Sequence, residues 1–120
     1  ISISYKDENK LYSSAKICLN YHEKESNNKH YHQILNQRSF KIPACGGFQI
    51  IDQLNYLDKY YSDEEMVSCS DKKDWFEKID FYIKNEKLRK QISNKALEKT
   101  HRDHLYENRI LQILKLTNKI

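Results

Sequence analysis

Glycine and proline are nearly absent from this chain: two glycines, which are adjacent, and one proline in 120 residues. With so little punctuation there is no linker, low-complexity segment or internal repeat to divide the chain, and 120 residues bury one small core rather than two. No run approaches the roughly 18 consecutive apolar residues of a membrane helix, and the first residues lack the charged, apolar, small-residue order of a signal peptide. A cytoplasmic location is the default expectation. The three cysteines, Cys18, Cys45 and Cys69, are an odd number without a close pair, each in or beside an apolar segment. They read as reduced, buried small hydrophobes rather than a disulfide frame. Cys45 lies beside the glycine pair, but nothing near it in sequence marks a nucleophile with its base.

Segregated charge is also missing. The net charge is +4, yet lysines alternate with acids, as in Asp71-Lys72-Lys73-Asp74 and Glu86-Lys87-Leu88-Arg89-Lys90. That mixing belongs to solvated helix faces, whereas a nucleic-acid surface concentrates its cations in a stripe, so no nucleic-acid partner is expected. Five histidines raise the question of a metal. His30-x-His32 and His101-x-x-His104 are near pairs without a third ligand at a recognisable spacing, so no metal and no bound cofactor are expected.

What is present is an alternation of short apolar runs with helical patterns. Lys6 to Ala15 carries Leu11, Tyr12 and Ala15 at helical spacing, and Lys16 to Tyr21 follows as a strand centred on Ile17-Cys18-Leu19. His22 to Lys29 is wholly polar and reads as an exposed loop leaving the strand's carboxyl end, where ligand groups collect. Tyr31 to Ala44 fits a helix with Pro43 in its last turn, and Phe48 to Asp52 a strand buried on both faces. Gln53 to Ser62 suggests a short helix or irregular helical turn, and Glu65 to Cys69 a third strand. Ser70 or Asp71 then caps a helix bearing Trp75, Ile79, Tyr82 and Ile83, which Asn85 ends. Leu88, Ile92, Ala96 and Leu97 mark another helix, and Leu105 to Leu114 a final one. The fold class is therefore α/β: a Rossmann-like parallel sheet of about three strands flanked by helices, with a helical C-terminal tail.

The most informative stretch is Asn36-Gln37-Arg38-Ser39-Phe40-Lys41-Ile42-Pro43-Ala44-Cys45-Gly46-Gly47-Phe48-Gln49-Ile50-Ile51-Asp52. A polar helix runs through a small-residue turn into a buried strand, and a ligand is expected at that strand's carboxyl end. Asn20 and His22, at the carboxyl end of the first strand, are placed by the same rule, though either residue equally suits a loop-backbone contact. The glycine pair is expected to end the helix with a left-handed cap in any case. The run Asn-x-Arg-x-Phe-x-Ile-x-Ala-Cys-Gly-Gly-Phe-Gln followed by Asp resembles the signature of glycosyltransferases related to the spore-maturation protein CgeB, within the glycosyl transferases group 1 set. Tyr12 to His22 is similar to the helix and strand that precede it there. His104-Leu105-Tyr106-Glu107-Asn108-Arg109 resembles the family's closing His-x-Tyr-x-x-Arg helix.

The resemblance implies that residues 1–120 are a single C-terminal nucleotide-sugar-binding half-domain, part of the second domain of a two-domain GT-B enzyme of retaining type. A chain that starts at Ile1 is then expected to be a fragment, inactive alone. The implied function is transfer of a sugar from a nucleotide-diphosphate sugar to an unknown acceptor. The alternative is a non-catalytic truncated relative acting as an interaction module, self-associating through its C-terminal helix. The resemblance implies donor-binding roles for Asn20, Asn36, Arg38, Lys41, Gly46, Gly47 and Phe48. First-turn amides of the helix opening near Tyr31 and the Arg38 guanidinium are expected at the diphosphate. Where the family usually has Glu, this chain has Lys41, which cannot accept the ribose hydroxyl hydrogen bonds that a carboxylate accepts.

Overall fold

A computed structural model describes residues 2–22 and 34–118. Helix α1 (Tyr5–Ser14) starts where the Ser4 hydroxyl accepts the Asp7 N–H at 3.2 Å, and it leads into β1 (Cys18–Asn20). Helix α2 (Arg38–Ala44) and the glycine turn lead into β2 (Gln49–Asp52). A 3-10 turn (Leu57–Lys59) precedes β3 (Val67–Cys69), and three helices follow: α3 (Lys72–Lys84), α4 (Glu86–Asp103) and α5 (Tyr106–Leu116). The strands form one parallel sheet in the order β1-β2-β3, with Leu19 beside Ile50 and Ile51 beside Ser68. Among the described residues no helix is long and apolar enough to cross a membrane.

The alternation of β2 fixes the two layers. Ile50 and Ile51 are both fully buried but point to opposite faces, as successive strand residues must. Ile50 joins Phe48, Val67, Cys69 and Ile92 under α3 and α4. Ile51 joins Leu54, Leu57, Tyr61 and Met66 on the other face, with Phe40 packed against them. Both cores are small. Helices α3 and α4 are locked at their junction by Arg89, whose guanidinium donates to the last-turn carbonyls of Tyr82 and Ile83. Burial pushes the Cys18 and Cys69 thiols up to about 11, and all three cysteines are free.

Strand and helix identities follow the sequence pattern, but one helix is shorter than its pattern implies. Residues 34–36 are not helical, and the predicted start near Tyr31 lies outside the described residues. Asn36 is the physical cause: its Oδ1 accepts the Ser39 N–H at 3.0 Å and the Ser39 hydroxyl at 3.1 Å. A side chain that satisfies a first-turn amide in this way ends the helix rather than extending it. Each strand is likewise trimmed to the residues that pair: Lys16, Ile17 and Tyr21, Phe48, and Glu65 and Met66 fall outside the ladders.

The glycines do different work. Gly46 has φ +78°, the left-handed conformation that closes α2, with its N–H on Pro43 C=O at 3.0 Å. Gly47 is needed for space. A Cβ there would stand 2.8 Å from the Tyr12 carbonyl oxygen and 2.9 Å from Ile42 Cγ2, so the α1 backbone reaches α2 only because none exists.

Candidate functional site

At the carboxyl ends of β1 and β2 lies a buried polar network. Asn20, wholly inaccessible, exchanges two side-chain hydrogen bonds with Asn36, at 3.0 and 2.9 Å, and also donates to Ser39 Oγ and Gln49 Oε1. Beside it, Asp52 Oδ1 accepts from the His22 backbone N–H at 3.0 Å and contacts His22 Nδ1 at 2.7 Å. The Asn36 backbone N–H donates to His22 Nε2 at 3.0 Å. Because Nε2 must accept, the ring proton sits on Nδ1 and is given to Asp52. One group is left over: Asp52 Oδ2 is buried without a hydrogen-bond partner among the described residues.

Asn36 also lines a cavity of about 570 Å³ that extends from the network along α2 to the junction of α4 and α5. Asn36, Phe40 and Lys41 form one wall and His104, Tyr106 and Arg109 the other, with Tyr5 closing an end. The walls are tied by a hydrogen bond from Gln37 Nε2 to the Tyr106 hydroxyl, 2.9 Å long. Residues that are neighbours only in their motifs, some 65 positions apart, thus share one space.

The far wall is built on His104. Its ring stands 5.5, 5.6 and 5.2 Å from the rings of Phe40, Tyr60 and Tyr61. His104 Nε2 is 2.9 Å from the Tyr60 carbonyl and Nδ1 is 3.0 Å from Arg109 Nη2. A guanidinium only donates, so Nδ1 accepts and the proton is on Nε2. Burial lowers the His104 pKa from its ordinary value, which agrees with a neutral ring. Behind it, burial pushes the Tyr61 phenol up to about 12, and its hydroxyl meets Thr100 Oγ1 at 2.7 Å.

The two cations facing this cavity differ. Lys41 is neutralised: its ammonium pairs with Glu8 and sits 4.8 Å from the centre of the Tyr5 ring, the carboxylate bond holding the lysine pKa up and that of Glu8 down. Arg109 has no carboxylate partner among the described residues. Arg38, the first residue of α2, is exposed and does not line the cavity. Gly46, Gly47 and Phe48 precede β2, at the amino end of the sheet, with Phe48 in the core. The structure therefore brings Asn20, Asn36 and Lys41 to this region and holds the other four donor-site candidates elsewhere. With α2 only seven residues long, its amino end is not the extended helix terminus the sequence implies.

A larger cavity of about 790 Å³ lies beside the β2 and β3 ends, but it holds two carboxylates, Asp58 and Asp63, and no cation. That lining suits a diphosphate poorly. Among the described residues no three His, Cys, Asp or Glu side chains converge as metal ligands, and His30 and His32 lie outside them. Sequence reasoning assigned nothing to Gln49, Asp52 or Arg109. Arg109 stands in the closing motif, but its lack of an acidic partner becomes visible only in three dimensions.

A family model described as glycosyl transferase-like matches residues 2–115 of the chain. No curated protein and no solved structure matches it.

Proposed function

The chain belongs to the glycosyl transferase-like family, and on that premise we propose that it is the donor-binding part of a glycosyltransferase related to the spore-maturation protein CgeB. Its substrate would be a nucleotide-diphosphate sugar, from which a sugar passes to an acceptor. The observation that carries this reading is the shared cavity: residues of the Asn36 to Lys41 and His104 to Arg109 segments, two stretches that carry the resemblance, line one space beside the end of β1. In open parallel α/β sheets, ligands collect at the carboxyl ends of the strands. The cavity size is in the range of small-molecule sites.

In this reading Asn36 faces the donor, held in place by Asn20. Lys41 occupies the position of the usual carboxylate and is drawn to Glu8, so the ribose hydroxyls must find acceptors elsewhere, and a phosphate finds only a neutralised lysine. Arg38 remains available from the surface. The test is thermal unfolding of the chain against a panel of nucleotide-diphosphate sugars. Ligand at 100 times its dissociation constant stabilises by about 2.7 kcal/mol. For a domain of this size each kcal/mol shifts Tm by roughly 4–8 °C. A rise with at least one nucleotide sugar, and none with the free sugars, is expected. No rise across all bases would end this reading for the chain.

A further inference from the structure

We propose that Arg109, aimed by His104, is the anion-binding side chain of the cavity and takes a phosphoryl group there. The inference rests on the reading of this cavity as the ligand site of the family, and it places the cationic contact on the closing helix rather than on Arg38.

The guanidinium is positioned but not consumed. It donates from Nη2 to His104 Nδ1 at 3.0 Å and from Nη1 to Gln112 Oε1 at 3.2 Å. Two of its five N–H groups are thus used, and three have no partner among the described residues. Its carbon lies 6.0 Å from the Phe40 ring centre and 5.7 Å from that of Tyr60, so two aromatic faces flank the cation. It is half-buried on the cavity wall.

The ion pairs of the neighbourhood make the omission informative. Arg102 and Lys99 share Asp103, Lys95 takes Glu64 and Lys41 takes Glu8. Arg109 alone of these is given a neutral acceptor. His104 cannot turn away, because its other nitrogen is committed to the Tyr60 carbonyl and its ring is flanked by three aromatic rings. A planar fork with unspent donors and no counter-charge among the described residues matches a phosphoryl group, which accepts two parallel hydrogen bonds. The phosphoryl group can come from the diphosphate of a donor or from a phosphorylated acceptor.

Calorimetric titration of the chain with inorganic pyrophosphate tests this, with a nucleoside diphosphate and a sugar monophosphate as further arms. Pyrophosphate is expected to bind, with Arg109→Gln weakening it by roughly ten- to a hundred-fold and Arg109→Lys by less. Tighter binding of the nucleoside diphosphate assigns the subsite to the donor, whereas tighter binding of the sugar monophosphate assigns it to the acceptor. In the unsubstituted chain the Arg109 Nε–H resonance should move during the titration, a readout independent of how any variant folds. His104→Asn keeps an acceptor near the place of Nδ1, while His104→Gln keeps only the donor to Tyr60, so the first should retain more affinity. Absence of pyrophosphate binding overturns the proposal. Nucleoside diphosphate binding that Arg109→Gln leaves unchanged also overturns it, while preserving the donor reading. Equal affinities for the two His104 variants remove His104 from the positioning role.

Discussion

Two histidines divide this molecule into a closed region and an open one. His22 carries its proton on Nδ1 and His104 on Nε2, each tautomer dictated by its neighbours. Around His22 donors and acceptors nearly exhaust one another: Asp52, Asn36, Asn20, Ser39 and Gln49 face inward, and among the described residues a single carboxylate oxygen is left over. Around His104 the described residues stop short of balance, since among them the ring's partner is a cation with spare donors and no counter-ion. Polar groups that saturate one another hold a fold in one arrangement. A charge positioned and left unmatched is available to something else.

The largest effect is expected in the closed region. Asn20→Ala takes the partner from Asn36 Nδ2 and from Gln49 Oε1, while Ser39 keeps its bond to Asn36 Oδ1. At about 1–3 kcal/mol per unsatisfied buried group, the expected loss is about 2 kcal/mol or more. Urea unfolding should show a lower midpoint at an unchanged slope. Arg109→Gln is the counterpart, and its stability in the same assay should stay within about 1 kcal/mol, the scale of the cation–aromatic contacts it forfeits. A large loss there would make the open region structural too.

Lys41→Glu sharpens the boundary between the regions, because it sets two carboxylates against each other where Lys41 and Glu8 now pair. Tm should fall at low salt, the fall should shrink as salt screens the repulsion, and Glu8→Lys added to it should restore stability. The smallest effect concerns pH. Burial holds the folded-state pKa of His104 below the ordinary value near 6.5. Its contribution is therefore fully present above about pH 6.5 and is lost as pH falls through the folded value. Tm measured from pH 7.5 downward should show a decline beginning below 6.5 that His104→Gln flattens.

Sequence pattern carried the fold well because each strand needed only its own alternation. Ile50 and Ile51 announced a strand buried on both faces, and Asp71, whose Oδ1 accepts the Asp74 N–H at 2.9 Å, announced the start of α3. The site was less legible. Asn36 had the residue type of either a ligand contact or a cap, and its bonds to Ser39 and to Asn20, the latter 16 positions away, appear only in the folded chain. The partner of Lys41 was 33 positions away in α1, and nothing in the local pattern of either residue announced the pair. The significance of Arg109 is a partner missing among the described residues, and short-range spacing cannot reveal that none of their acids folds back upon it.

The order β1-β2-β3 has a kinetic corollary. Cys18 gives its N–H to Phe48 C=O at 2.8 Å, and since donors alternate along a parallel strand, the Leu19 amide points away from β2, on the side where no strand lies among the described residues. In deuterated water the Cys18 amide should outlast that of Leu19, although the two are adjacent in one strand. Any further strand that docks on this edge, from whatever source, should convert Leu19 from a fast-exchanging position to a slow one. A single amide thereby clocks the completeness of the sheet.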